Sequence, residues 1–275
     1  MSNKRADIVV IGGSAAGLTA AITARRQHPS KRVLLIRKEE KVLIPCGIPY
    51  IFGTVGSPEK NLIPDALLEK NEIELVLGEV TGVDTENKRI ALADGGAVGY
   101  DRAVFATGSL PAMPPIPGFD KQRVWTVHKD VELIRTLQGE LEKVEDLVIV
   151  GGGFIGVEFA DECRKAGVKN VTIVELLPHC LMLSFDEDYA CGAEEALFER
   201  GIQLRTGSKV KEFAGGDAVE AVVLDGGERI AANAVILGIG AVANVELAKA
   251  SGLAIGPTGA IAVDRYLRTS APDVF

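Results

Sequence analysis

Two of the short unbroken apolar runs in this chain, Ile8–Ile11 and Leu147–Val150, break off into a glycine-rich turn that opens a helical pattern. Short β-branched runs bounded by glycine predict buried parallel strands. The first stretch reads DIVVIGGSAAGLTAA and the second DLVIVGGGFIGVEFA. A further strand follows each turn, in KRVLLIRKEE and KNVTIVELLP, and sets Arg37 opposite Glu175. Later, VLGEVTGVDTENKRIALADGG leads to AVFATG, and RTGSKVKEFAGGDAVEAVVLDGG leads to AVILGIG. The same order of elements is written twice.

Gly12, Ser14 and Gly17 occupy the positions of a G-x-G-x-x-G fingerprint, and Gly151, Gly153 and Gly156 occupy them again. A strand before and a helix after each turn is the context that a dinucleotide site requires. The first glycine makes the tight turn, the second lets backbone approach a pyrophosphate, and the third lets helix pack on strand. The helix start then offers unpaired N–H groups and a positive dipole end. The fold class expected is α/β: two tandem Rossmann-like, three-layer domains, each with a β-meander insert before its last parallel strand. The first domain is placed at residues 1–112, the second at 113–240, and a return to the first at 241–275. Two nucleotide sites in one chain imply transfer from one nucleotide to another.

Glu175 ends the second strand of the second copy, where a carboxylate accepts from a ribose 2′-OH and repels a 2′-phosphate. Leu176, Leu177 and Pro178 beyond it offer no arginine, so NADH is favoured over NADPH. In the first copy Arg37 takes that place. It is open to reaching a phosphate, stacking on adenine or facing water, and Glu39 is the substitute ribose contact.

Composition narrows the partners. The chain has 275 residues, 47% of them hydrophobic, with a net charge of −8, which disfavours nucleic acid and anionic membranes as partners. The longest uncharged run, Ile230–Val245, falls short of the roughly 20 residues of a membrane span. No apolar signal region opens the sequence. The four cysteines show neither metal-ligand spacing nor a dense disulfide framework, and a cytoplasmic protein with reduced thiols is expected. His28, His128 and His179 share no spacing that suggests a metal site or a triad, so no metal is expected. Cys163 falls on a helix and is expected to be inert. Cys180 and Cys191 flank SFDEDYA and would pair only if the fold brings them close. Asp186–Asp188 are expected to start a helix, where carboxylates are favoured.

GGSAAG, CGIPY, YDRAVFATGSLP, GGGFIGVE, VILGIG and GAIAVDRYLRTSAPDVF occur in that order. Together they resemble the FAD- and NAD-dependent pyridine nucleotide-disulfide oxidoreductases, in the single-cysteine branch of coenzyme A disulfide reductase, NADH oxidase and NADH peroxidase. The resemblance implies FAD in the first copy, held by Gly12, Gly13, Ser14, Ala15, Ala16 and Gly17 with Lys38, Pro45 and Val80. It also implies that Ala106, Thr107 and Gly108 close over the flavin nucleotide. In the second copy it implies NADH, with Phe154, Ile155 and Glu158 lining the nicotinamide and Gly238, Ile239 and Gly240 where the chain returns. SLPAMPPIPG after Gly108 reads independently as a proline-stiffened crossover.

Cys46, set between Pro45 and Gly47, matches the redox cysteine of this branch. Ile51 stands where two-cysteine relatives carry their second sulfur, so the oxidised state is expected as a mixed disulfide, persulfide or sulfenic acid. Three departures qualify the match. Ala15 and Ala16 stand where oxidases and peroxidases carry a histidine, which favours a sulfur substrate over oxygen species. Val42 and Pro45 replace the serine and asparagine typical of coenzyme A reductases, leaving Arg25 and Arg26 as possible phosphate contacts. LRTSAPDVF stops before the family's A-x-G-D element, so the sequence is expected to be a piece of a longer, homodimeric enzyme whose dimerisation domain is absent, with weak FAD retention.

The function expected is hydride transfer from NADH to FAD and on to a disulfide, coenzyme A disulfide or persulfide, or polysulfide through Cys46. Two alternatives stand beside it. One is an NADH-dependent rubredoxin, ferredoxin or quinone reductase, or an NADH oxidase, with no role for Cys46. The other is a non-catalytic nucleotide-binding redox sensor.

Overall fold

The computed structural model describes residues 4–275. In chain order the first elements are β1 (Lys4–Ile11), α1 (Ala15–Gln27), β2 (Val33–Arg37), α2 (Ala66–Lys70), β3 (Glu74–Leu77), β4 (Val80–Asp84), β5 (Arg89–Leu92) and β6 (Ala97–Phe105). They form one sheet in the order β3-β2-β1-β6-β5-β4. Its β3-β2-β1-β6 part is parallel, whereas β6-β5-β4 is an antiparallel meander. β6 therefore serves twice, as the last strand of the insert and as the parallel partner of β1. The central strands are buried on both faces. Val9, Ile11, Leu34 and Ile36 pack on one side with Tyr100, and Val10, Val33 and Leu35 pack on the other with Ala21 of α1.

After β7 (Ser109–Pro111) come β8 (Val124–Thr126), α3 (Val131–Leu141), β9 (Asp146–Val150), α4 (Phe154–Lys165), β10 (Asn170–Val174), α5 (Glu187–Glu199) and β11 (Ile202–Arg205). β12 (Val210–Ala214), β13 (Ala221–Leu224), β14 (Arg229–Ala231) and β15 (Ala234–Leu237) follow, and β16 (Ala241–Ala243) and α6 (Glu246–Ala250) lead into the final segment. Here the parallel sheet runs β11-β10-β9-β15-β8, and β12-β13-β14 form a separate antiparallel sheet. Phe213, Val222 and Leu224 of the separate sheet pack against Val148, Val150, Val235 and Leu237 of the parallel one. The expected α/β duplication is present, with the insert fused to the main sheet in one copy and laid over it in the other.

The chain divides into two compact units. One comprises the described part of Met1–Pro45 with Leu62–Leu110 and Val242–Phe275; the other comprises Cys46–Asn61 with Pro111–Ala241. The segment 46–61, which lies within the first domain as drawn from sequence, thus counts with the second unit. No helix among the described residues is long and apolar enough to cross a membrane.

Candidate functional site: two glycine loops and a cysteine turn

The two loops are built from the same set of contacts. The Gly12 amide donates to Ile36 O and the Ala106 amide to Ile11 O, both at 2.8 Å; their counterparts, Gly151 to Val174 O and Gly238 to Val150 O, are also 2.8 Å. Gly12 and Gly151 have φ of +114° and +104°, a region that favours glycine. A Cβ on Gly12 would lie 2.2 Å from Ala106 O, and one on Gly151 would lie 2.6 Å from Gly238 O. A Cβ on Gly17 would lie 1.9 Å from Gly12 O, and one on Gly156 would lie 1.8 Å from Gly151 O. The first and third glycines are therefore demanded by the protein itself.

The middle position differs. A Cβ on Gly153 meets nothing within 4 Å, so its bare backbone faces open space, as close approach by a pyrophosphate needs. Ser14 and Gly153 are the N-caps of α1 and α4; neither helix has a side-chain cap bond or an acidic residue in its first turn. Their first N–H groups are left for an anion. Both loops fit a dinucleotide.

In the first unit a cavity of about 550 Å³ opens beside the loop, and Gly12, Arg37, Lys38, Glu39, Val80 and Thr107 line it. Pro45 lies outside that lining. Thr107 is fixed by donating its hydroxyl to Asn244 O at 2.7 Å, and the Asn244 amide donates to Gly108 O at 3.0 Å.

Arg37 does not face water. It is 4% exposed and donates from Nη1 and Nη2 to both carboxylate oxygens of Asp65, at 2.7 and 2.8 Å. Its Nε and Nη2 also donate to Glu39 O and Glu40 O. A Cβ on Gly13 would lie 2.5 Å from Arg37 Cδ, so the arginine is the floor on which the loop rests. Nothing in sequence marks Asp65 as its partner. Arg25, weighed as a phosphate contact, instead bonds Pro29 O and Glu72.

In the second unit Glu175 stands where sequence puts a ribose contact. Its Oε2 accepts from the Gly152 amide and its Oε1 from the Leu177 amide at 2.7 Å. Two backbone donors orient the carboxylate and leave lone pairs for a hydroxyl. Phe154 and Ile155 are exposed at the start of α4, and Ile239 is exposed where the chain returns. Gly240 there has φ of +102°.

Cys46 is an exposed thiol in a single 3₁₀ turn, Pro45–Gly47. The bare Gly47 is explained by the protein: a Cβ there would lie 2.0 Å from Oδ1 of the buried Asn61. Downstream, Phe52 packs on Phe159 of α4 with ring centroids 5.0 Å apart. Glu162, buried at 1% exposure, accepts from the Thr54 amide at 2.7 Å and the Thr54 hydroxyl at 2.9 Å. Tyr50 and Glu158 line a cavity of about 210 Å³. Burial pushes the Glu158 carboxyl up, against the pull of the Tyr50 hydroxyl, and Glu162 adds to the rise. The cysteine segment is thus clamped to the helix that the second glycine loop opens. Glu162 and Thr54 stand 108 residues apart, and no local pattern in sequence marks them as partners.

Cys163 is buried, and burial pushes its thiol up to about 12, in keeping with an inert role. Asp186 caps α5 through the Tyr189 amide at 3.3 Å. The histidines share no ligand spacing in sequence, yet the fold brings His179 together with Cys191 and Glu194. Cys180 and Cys191 are both free thiols.

The pyridine nucleotide-disulphide oxidoreductase family matches residues 6–275. An NAD(P)H coenzyme A polysulfide/persulfide reductase of Pyrococcus horikoshii is 38% identical over 99% of this chain and 62% of its own length. The solved NAD-dependent persulfide reductase from A. fulgidus has a TM-score of 0.89 at 30% identity, over 98% of this chain and 52% of that one. A ferredoxin reductase from Rhodopseudomonas palustris has a TM-score of 0.88 at 28% identity, over 98% and 67%. The chain spans about three fifths of the length of the curated relatives it matches.

Proposed function

The chain belongs to the pyridine nucleotide-disulphide oxidoreductase family, which uses FAD and NAD(P)H, and on that premise we propose that it passes reducing equivalents from NADH to a sulfur substrate through Cys46. The observation that carries the proposal is the clamp of the Cys46–Asn61 segment on α4, with the Cys46 thiol left exposed. The Gly12 loop and its cavity would hold FAD, and the Gly151 loop with Glu175 would hold NADH. When bound, FAD supplies the two-electron link between NADH and sulfur.

The protein's own part starts at Cys46 Sγ. As thiolate it attacks one sulfur of a disulfide, persulfide or polysulfide; the S–S bond breaks, one part leaves as a thiolate, and the other stays on Cys46 as a mixed disulfide. Exposure lets the substrate reach the sulfur. With Ile51 in place of a second cysteine, the two electrons that reduce this mixed disulfide are assigned to NADH; its S–S bond breaks, the Cys46 thiolate is restored and the second part leaves as a thiol. The sulfur-reductase names of the P. horikoshii and A. fulgidus relatives support this choice of acceptor. A reducing, cytoplasmic location and a homodimer for the full enzyme belong to the same proposal; the four free thiols fit the first.

An anaerobic NADH titration of the FAD-reconstituted chain after mild oxidation tests it. The wild type is expected to take about two electrons more than Cys46→Ser before the flavin is fully reduced. Equal uptake would overturn the role of Cys46 and favour the electron-transfer chemistry named for the Rhodopseudomonas relative.

A further inference from the structure

The loop after Glu175 carries a group of side chains that nucleotide binding does not use. His179 Nδ1 lies 3.1 Å from Glu194 Oε2 and 3.8 Å from Cys191 Sγ. The three ligand-type atoms all lie within 4.8 Å of one another, and all three residues are half-buried. Cys191 and Glu194 are three residues apart on α5, so their side chains project from one face of the helix, and the loop brings the imidazole over them.

We propose that His179, Cys191 and Glu194 form a binding site for one zinc-class divalent ion. Tetrahedral zinc with bonds of about 2.0–2.1 Å to nitrogen or oxygen and 2.3 Å to sulfur sets ligand atoms about 3.4 Å (N···O) and 3.6 Å (N···S) apart. The observed 3.1 and 3.8 Å differ from these by a few tenths of an ångström. The mixed N, S, O set suits zinc over calcium or magnesium, which prefer all-oxygen shells.

The surroundings have the form of a metal ligand's outer shell. Glu194 Oε1, the oxygen turned away from the histidine, accepts from the Cys180 amide at 2.7 Å. Glu187 Oε1 lies 3.8 Å from His179 Nε2, the ring nitrogen left over when Nδ1 is the ligand. That distance is longer than a hydrogen bond, and it places a negative charge on the far side of the ring from the proposed ion. A cysteine–histidine–glutamate nucleophile is the competing reading of the same three residues. In that reading the imidazole would hold the thiol on one ring nitrogen and the carboxylate on the other, whereas here Cys191 Sγ and Glu194 Oε2 both face Nδ1, as two ligands of one ion would.

The ion would tie the loop to α5 beside the second glycine turn. The neighbouring Leu181 amide donates to Gly152 O at 2.8 Å, and a Cβ on Gly152 would lie 2.6 Å from Cys180 Sγ.

Equilibrium dialysis of the full chain against Zn²⁺ and Co²⁺ difference spectra test the site. One zinc per chain is expected, with a thiolate-to-cobalt charge-transfer band that Cys191→Ser abolishes and Cys46→Ser leaves intact. His179→Gln and Glu194→Gln should each weaken zinc by about tenfold or more, with far-UV circular dichroism confirming the fold. Should Cys191→Ser fail to fold, the His179→Gln measurement decides. Retention of the band in Cys191→Ser, its loss in Cys46→Ser, or zinc affinity unchanged in His179→Gln would overturn the proposal.

Discussion

Glu162 holds Thr54 with both carboxylate oxygens, Oε2 on the amide and Oε1 on the hydroxyl. Lys165 donates to Oε1 at 2.8 Å from the next turn of α4, so the buried charge is both paired and hydrogen-bonded. A Cβ on Gly53 would lie 2.7 Å from Glu162 Oε2, which is why the chain carries glycine just before the threonine. Helix α4 starts at the second glycine loop, and the strand of chain bearing Cys46 is fastened to it.

Glu162→Ala should lower the unfolding free energy by about 1–3 kcal/mol, because it leaves the Thr54 amide without its acceptor in a buried place. Urea denaturation measures this. A change below about 0.5 kcal/mol, the scale of an ordinary surface substitution, would show that the clamp contributes nothing.

Arg37→Ala should cost about 1–3 kcal/mol through the lost charge-assisted bonds to Asp65 and the two carbonyls. Arg37→Lys should restore little of it, since an ammonium cannot make the two-pronged contact. Thermal melts of the three proteins give the comparison. Full rescue by lysine would mean that charge alone matters at this position.

The two loops can be disabled one at a time. Gly17→Ala should reduce FAD retention and Gly156→Ala should reduce NADH affinity, each by at least about tenfold (~1.4 kcal/mol), since each methyl would collide with the preceding turn. Flavin content after gel filtration and NADH fluorescence titration separate the effects. Loss of FAD in Gly156→Ala would contradict the assignment of nucleotides to loops.

Burial raises the Glu158 carboxyl in the folded protein. A raised value means that the protonated form is favoured by folding. The contribution is therefore fully present below the unfolded pKa of about 4.3 and is lost as pH rises through the higher folded value. Glu158→Gln should match the wild type in acid and become the more stable protein as pH rises toward neutrality. Melting temperatures across this range give the answer; a difference that shrinks with pH would reverse the sign.

Much of this was legible in the chain itself. The twin glycine turns, the strands before and after them and the cap at Asp186 could be read because each is a local pattern with a local cause. Glu175 was legible for the same reason, as a carboxylate at a strand end. Arg37 was not, because its partner Asp65 lies 28 residues away on the far side of the cysteine segment. The reason for Gly47 was not legible either, because Asn61 fills the space beside it, again a contact that only folding makes. The His179 cluster escaped notice because a loop residue completes a pair on a helix, a spacing that matches no ligand motif.

The interlocked glycines also limit how such a duplicated protein can change. In each loop the first glycine is closed by a carbonyl of the returning strand and the third by a carbonyl of the first, so neither position tolerates even one added methyl. Chemical difference between the copies is therefore kept off those two positions, and it shows at the end of the second strand, where Arg37 and Glu175 stand at matching places. One became a buried post and the other a presented acid. A designer altering either half should leave those glycines alone and rewrite the strand ends together with the residues that hold them.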